Sequence, residues 1–412
     1  MPTLYIQRAL EHLDEPGLIA FLRQLVATPS VYQPDVPGAN EAAVAQLVYD
    51  LLHDWEWQPL WQPVAPDRPN VIADLDGTGG AGRCLLFEGH TDVVTPGDRA
   101  AWQYDPFGAQ VVDGRLYGRG AADMKGGLAA MLFAARAIQL SGMPFRGRIR
   151  LAVPVDEEGM MLGIKALITA GYADGVDGAI VCEPEEREVC IVQKGALRLR
   201  LLAHGRIAHG AMPNEGVNAL TAMVQLLQRL LDLETRLQHH YGSHPSLGDL
   251  YITPTILRAP LSGDTSQINC LPGSCEAYLD IRSVPGITHA ELLAAIQQEA
   301  ALLTTMHPAY RFEVETLDDR PSTETAVDDP LVQAVIAAHT QIYGAVPVIG
   351  GVPGATDGTI LWRERAIPIV VYGPGKKRIA HQPDEYVELD EVVRAAQVYI
   401  SAALRFLGVG TI

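Results

Sequence analysis

Positive charge is scarce in this chain. It has 31 Lys and Arg against 49 Asp and Glu, a net charge of −18 over 412 residues. Such a surface repels phosphate backbones and anionic bilayers, which argues against nucleic acid and membrane partners. Cysteine is also sparse: Cys84, Cys182, Cys190, Cys270 and Cys275 are odd in number and show no CxxC spacing. That pattern supports neither a disulfide framework nor a thiolate zinc site, so the cysteines read as reduced thiols. Long apolar runs are missing too. The opening MPTLYIQRALEHLDEPG breaks its apolar residues with charges, and no stretch reads as a signal peptide or a membrane span. A cytoplasmic location is the expectation. Internal repeats and low-complexity tracts are absent as well.

What remains is the composition of a globular enzyme, 48% hydrophobic and 19% charged, in a chain long enough for two domains or for one with an insertion. Residues 17–27 and 40–53 carry apolar side chains at helical spacing. Short apolar runs then alternate with helical stretches: VIADL, CLLFE, the helix 126–142, RIRLAVPV, the helix LGIKALITAG, and GAIVC. This alternation predicts an α/β fold with a mixed, mostly parallel sheet flanked by helices. From about 194 to 316 the texture changes. Four strand-like segments (ALRLRLLAHGR, YITPTIL, CEAYLDIRS, YRFEVETL) and two helices (NALTAMVQLLQRLLDLETRL, ELLAAIQQEAALL) predict an inserted α+β sandwich, leaving 1–193 and 317–412 as the larger domain.

Several apolar runs of the larger domain stop at the same kind of residue. CLLFEG ends in His90 and Asp92, RIRLAVPV in Asp156, Glu157 and Glu158, GAIVC in Glu183, and IPIVVYGPG leads to His381. Asp123 stands just before the Gly-rich start of the long helix. Ligands of open α/β sheets gather at the carboxyl ends of the strands, so these residues can converge. Converging carboxylates repel one another unless a cation lies among them. His, Asp and Glu without Cys suit zinc, with cobalt or manganese as substitutes. His90, Asp123, Glu158, Glu183 and His381 suffice for two divalent metal ions if one carboxylate bridges a pair about 3.5 to 4 Å apart. Asp92 is placed to accept the second imidazole N–H of His90. Glu157, next to Glu158 and pointing to the other side in extended chain, is the candidate general base.

GHTDVV, GRGAADMKGG, DEEG, CEP and AHQPDEY together resemble, over nearly the whole chain, the co-catalytic zinc amidohydrolases and peptidases: acetylornithine deacetylase, succinyl-diaminopimelate desuccinylase, aminoacylase and glutamate carboxypeptidase. The resemblance implies a zinc-exopeptidase-like fold whose insertion is a lid and dimerisation domain, and hence a homodimer. It implies that Asp123 bridges, with His90 and Glu183 on one metal and Glu158 and His381 on the other, and that Glu157 is the base. It further implies that His209, in GRIAHGAMPNEGVNA, stabilises the oxyanion in the partner's site. Asn269 and Arg282, in QINCLPGSCEAYLDIR, would hold the substrate carboxylate, and Asp357, in GVPGATDGTIL, would face the substrate. The implied reaction is hydrolysis of an N-acyl amino acid, with a di- or tripeptidase as the competing enzyme and a non-catalytic binding or assembly module as the reading from another class. The histidines of HHYGSH are read as a solvated loop.

Overall fold

The computed structural model describes residues 2–261 and 267–409. The chain divides into two compact units, one made of 1–191, 325–350 and 356–412, the other of 192–324 and 351–355.

In the first unit the strand Cys84–Glu88 runs parallel to Arg148–Val153 on one side and to Gly178–Val181 on the other, and Ile369–Val371 continues the parallel set. Antiparallel strands extend both sides, Arg68–Asp76 and Leu60–Ala65 beyond Arg148–Val153, and Val189–Gln193 beyond Ile369–Val371. The inner strands are buried on both faces, which is why GAIV and CLLF read as unbroken apolar runs. Helices Gly126–Ser141 and Pro330–Tyr343 each pack against Leu389–Leu407, and all three touch the sheet, while Leu162–Thr169 and Asp357–Arg365 pack against each other and against sheet strands. An opening helix, Pro2–Glu11, escapes the sequence reading because its buried stripe is only Tyr5, Ile6 and Ala9 among charges. No helix among the described residues is long and apolar enough to cross a membrane, and all five cysteines are unpaired.

The parallel strands matter for position. Glu88 lies level with Ala152 and Val181, so three strands end together along one edge. Across that edge comes the start of Gly126–Ser141, where Gly127 is obligatory: a Cβ there would stand 1.8 Å from the Cys182 carbonyl oxygen.

The second unit is a four-stranded antiparallel sheet in the order Tyr251–Arg258, Ser274–Ser283, Gly195–His204, Arg311–Arg320. Leu197, Leu199 and Leu201, with Ala277, Leu279 and Ile281, alternate onto a core shared with helices Ala219–Tyr241 and His289–Met306. The last strand runs past residue 316 because pairing with Gly195–His204 resumes after a register shift and continues to Arg320. A groove of about 1090 Å³ lies in this unit, lined by Ile207, Ile268, Leu271 and Pro260.

Candidate metal centre

The strand edge gathers the predicted side chains of the first unit. Asp123 presents Oδ1 to His90 Nε2 at 3.4 Å and Oδ2 to His381 Nε2 at 3.3 Å. Glu183 Oε1 stands 3.3 Å from His90 Nε2, and Glu158 Oε1 is 2.8 Å from His381 Nε2. Glu157 Oε2 lies 4.0 Å from His90 Nε2. The ligand atoms of His90, Asp123 and Glu158, and those of His90, Glu157 and Glu183, fall within 4.8 Å of one another. His90 is fully buried and His381 is exposed, so the cluster opens to solvent on the His381 side.

The groups fit a cation. His90 Nδ1 faces the Asp92 carbonyl at 2.9 Å, and a carbonyl only accepts, so Nδ1 carries the proton. Nε2 is left buried with no hydrogen-bond partner and with carboxylates in front of it. In this arrangement it either takes a proton or holds a metal. Without metal, burial alone pushes His90 down, yet the nearby carboxylates, Glu183 first, hold it well above its ordinary value. His381 is raised to about 10, chiefly by its bonds to Asp123 and Glu158. Burial lifts Glu183 to about 8 and pushes Glu157 and Glu158 up, each aided by neighbouring negative charge. Burial would raise Asp123 as well, but the two histidines hold it far below the carboxylate range.

Two sequence readings change in their physical detail. The Asp92 carboxylate lies 3.5 Å from His90 Nδ1, and it is the main-chain carbonyl of Asp92 that sets the tautomer. Its carboxylate oxygens accept instead the amides of Glu157 at 3.1 Å and Glu158 at 2.9 Å. Glu157 and Glu158 face different histidines because the chain turns there, with Asp156 at φ +68°, rather than because it is extended. Asp156 is held by Arg68, which also forms a bidentate pair with the buried Glu41.

Asp357, the first residue of Asp357–Arg365, is fully buried. The remaining sequence candidates belong to the second unit. His209 and Asn269 meet on a small ribbon: His209 pairs with Cys270, and the Gly210 amide donates to the Asn269 carbonyl at 2.6 Å. Both side chains are exposed. Arg282 is not brought to them. It stands near the far end of Ser274–Ser283, roughly 26 Å beyond Ser274 at strand rise, and donates to Asp280 at 3.1 Å.

Sequence reasoning missed four buried charged residues around the cluster. Glu88 is fully buried, its oxygens have no hydrogen-bond partner, and burial raises its pKa well above normal, aided by Asp357. The clue was its place at the end of Cys84–Glu88, two residues before His90. Lys125 donates to the Leu25 and Thr28 carbonyls, both at 2.8 Å, and burial lowers it to about 7. Arg119 and Glu385 form a buried ion pair.

Comparison with known proteins agrees with a metal-dependent hydrolase. Residues 86–405 match Peptidase family M20/M25/M40. An acetylornithine deacetylase of Edwardsiella ictaluri is 32% identical over 92% of this chain and 94% of its own length. A probable succinyl-diaminopimelate desuccinylase of Staphylococcus epidermidis is 28% identical over 87% and 92%. Among solved structures, a dinuclear metal-binding peptidase from the M20 family of Bacillus subtilis shares the fold, with a TM-score of 0.70 at 16% identity over 95% of this chain and 98% of that one. The fold and cluster thus define a metal-dependent hydrolase. The chain belongs to the M20/M25/M40 peptidase family.

Proposed function

We propose that the protein hydrolyses the amide bond of an N-acyl amino acid, with two divalent metal ions, zinc foremost, held by His90, Asp123, Glu158, Glu183 and His381. The observation that carries this reading is Asp123 turning one oxygen to each of two histidines, each of which has a further glutamate beside it. When bound, such a pair supplies Lewis-acid activation of water and of the amide carbonyl. Glu157 takes the proton of the attacking water and returns it to the leaving amine. In the metal-free chain burial raises Glu157 above the ordinary carboxyl range, a direction that makes its ionised carboxylate a stronger base. Asp92 keeps Glu157 and Glu158 in register through their amides.

The second unit, read as a lid and dimerisation domain, contributes His209 to the oxyanion in the partner's site, and Asn269 and Arg282 to the substrate carboxylate. Asn269 and Arg282 stand far apart in one chain. A homodimer would let two copies supply them to one substrate. Asp357 is read as facing the substrate, and its charge helps to raise the Glu157 carboxyl.

The deacylase reading is supported by the two curated relatives, both named for removing an acyl group. Cleavage of di- or tripeptides is the second reading, favoured by the peptidase of like fold. A panel of N-acetyl and N-succinyl amino acids against dipeptides, compared by kcat/KM with zinc or cobalt present, separates them. Dipeptides turned over faster than every acyl amino acid would reject the first reading.

A further inference from the structure

We propose that Arg119 and Glu385 are positioning residues, a clasp that sets the separation of Asp123 and His381; this rests on the metal reading above. Arg119 is 1% exposed and Glu385 is fully buried, and they pair through Nη1 and Oε2. Removing two charges from water is costly, and the ion pairing taken alone is often no more stabilising than an apolar pair of similar volume. The charge pairing by itself therefore does not account for the pair. The contacts made by its remaining atoms do. Glu385 Oε1 accepts the amides of Ala122 at 3.0 Å and Asp123 at 3.1 Å. On the other side, Arg119 donates through Nη2 to the His381 carbonyl at 3.3 Å and through Nη1 to the Gln382 carbonyl at 3.4 Å. One ion pair thus grips the main chain at both residues that share the outer half of the cluster.

The need for a grip is visible at His381. Its φ is +65°, a left-handed conformation that a non-glycine residue keeps only when its surroundings hold it there. His381 is also exposed, so packing constrains its ring less than it does that of buried His90. A hydrogen bond to its own carbonyl is a direct way to hold such a backbone. Apolar side chains could fill the same space, but they could not hold these amides and carbonyls.

The test uses the full chain stripped of metal by chelator and titrated with Co²⁺, followed by visible absorption and calorimetry. Arg119→Lys keeps the charge but loses the planar fork that reaches Glu385 and two carbonyls at once. Glu385→Asp keeps the charge but withdraws the carboxylate by one methylene. Circular dichroism checks the folding of each variant, and either one, folded, carries the test. Wild type is expected to take up two equivalents. In the variants at least one equivalent should bind about ten- to a hundredfold more weakly, with a changed cobalt spectrum and an unchanged apo-protein fold. Wild-type isotherms and spectra in the folded variants would overturn the clasp alone. A wild-type chain that takes up no cobalt would overturn the metal reading, and the clasp with it.

Discussion

Glu158 Oε1 stands 2.8 Å from His381 Nε2, although the two residues are 223 positions apart in the sequence, on either side of the second unit. Glu157, the next residue back, instead faces His90. The turn at Asp156 thus assigns neighbouring glutamates to different histidines, and the proposed roles can be separated by substitution.

Glu157→Gln removes the proposed proton carrier while keeping its size and the hydrogen bond from its main-chain amide to Asp92. Turnover should fall about 10²- to 10⁴-fold, with metal content by elemental analysis as in wild type. Retained activity would assign the proton transfer elsewhere.

Asp92→Ala leaves the buried amide of Glu157 and the half-buried amide of Glu158 without acceptors. Each unsatisfied buried group costs about 1–3 kcal/mol. Metal affinity should drop roughly ten- to a hundredfold. Denaturant unfolding of the apo-protein and competition with a chelator read the two effects; a variant matching wild type in both would refute the assigned role.

Metal uptake should release protons. In the metal-free chain His381 is raised to about 10 and Glu183 to about 8, so at pH 7 both hold a proton that a cation must displace. Affinity therefore rises with pH through the neutral range. Calorimetry in two buffers of different ionisation enthalpy counts the protons, and equal heats in both would contradict the expectation.

His339 offers a pH test away from the cluster. It is buried against the Tyr372 hydroxyl at 2.9 Å, and burial, with Arg187 nearby, lowers it to about 4. Between that value and its ordinary 6.5 the unfolded chain binds the extra proton. Its contribution is thus complete above pH 6.5 and is lost as pH falls toward 4, with a slope of at most about 1.4 kcal/mol per pH unit. Apo-protein unfolding across this range should be flatter for His339→Gln than for wild type. Parallel curves would show that His339 does not titrate as described.

Gly127→Ala should destabilise the protein by at least about 1–3 kcal/mol, because the new methyl meets the Cys182 carbonyl. Since Cys182 precedes Glu183, metal affinity should fall together with the melting temperature. A variant as stable as wild type would mean that the helix start can move aside without harm.

Much of this was legible in the residues themselves. Buried parallel strands must be apolar along their length, so a His, Asp or Glu directly after GAIVC or CLLFEG stands out against its background. The same logic marks the inserted unit, where Leu197, Leu199 and Leu201 alternate with Arg198 and Arg200 because only one sheet face meets helices. The opening helix was less legible, since three buried side chains among charges make a weak stripe.

The sequence by itself pointed to side chains that could bind a cation and showed that several of them follow the buried strands. Only the tertiary structure decided that Asp123 divides its oxygens between His90 and His381, that Asp92 serves the glutamate amides, and that Arg119 and Glu385 join two distant loops. The physical reason is that these last contacts end on backbone N–H and C=O groups. Every residue but proline carries both, so no pattern of side chains reveals which of them a buried charge will meet until the chain has folded.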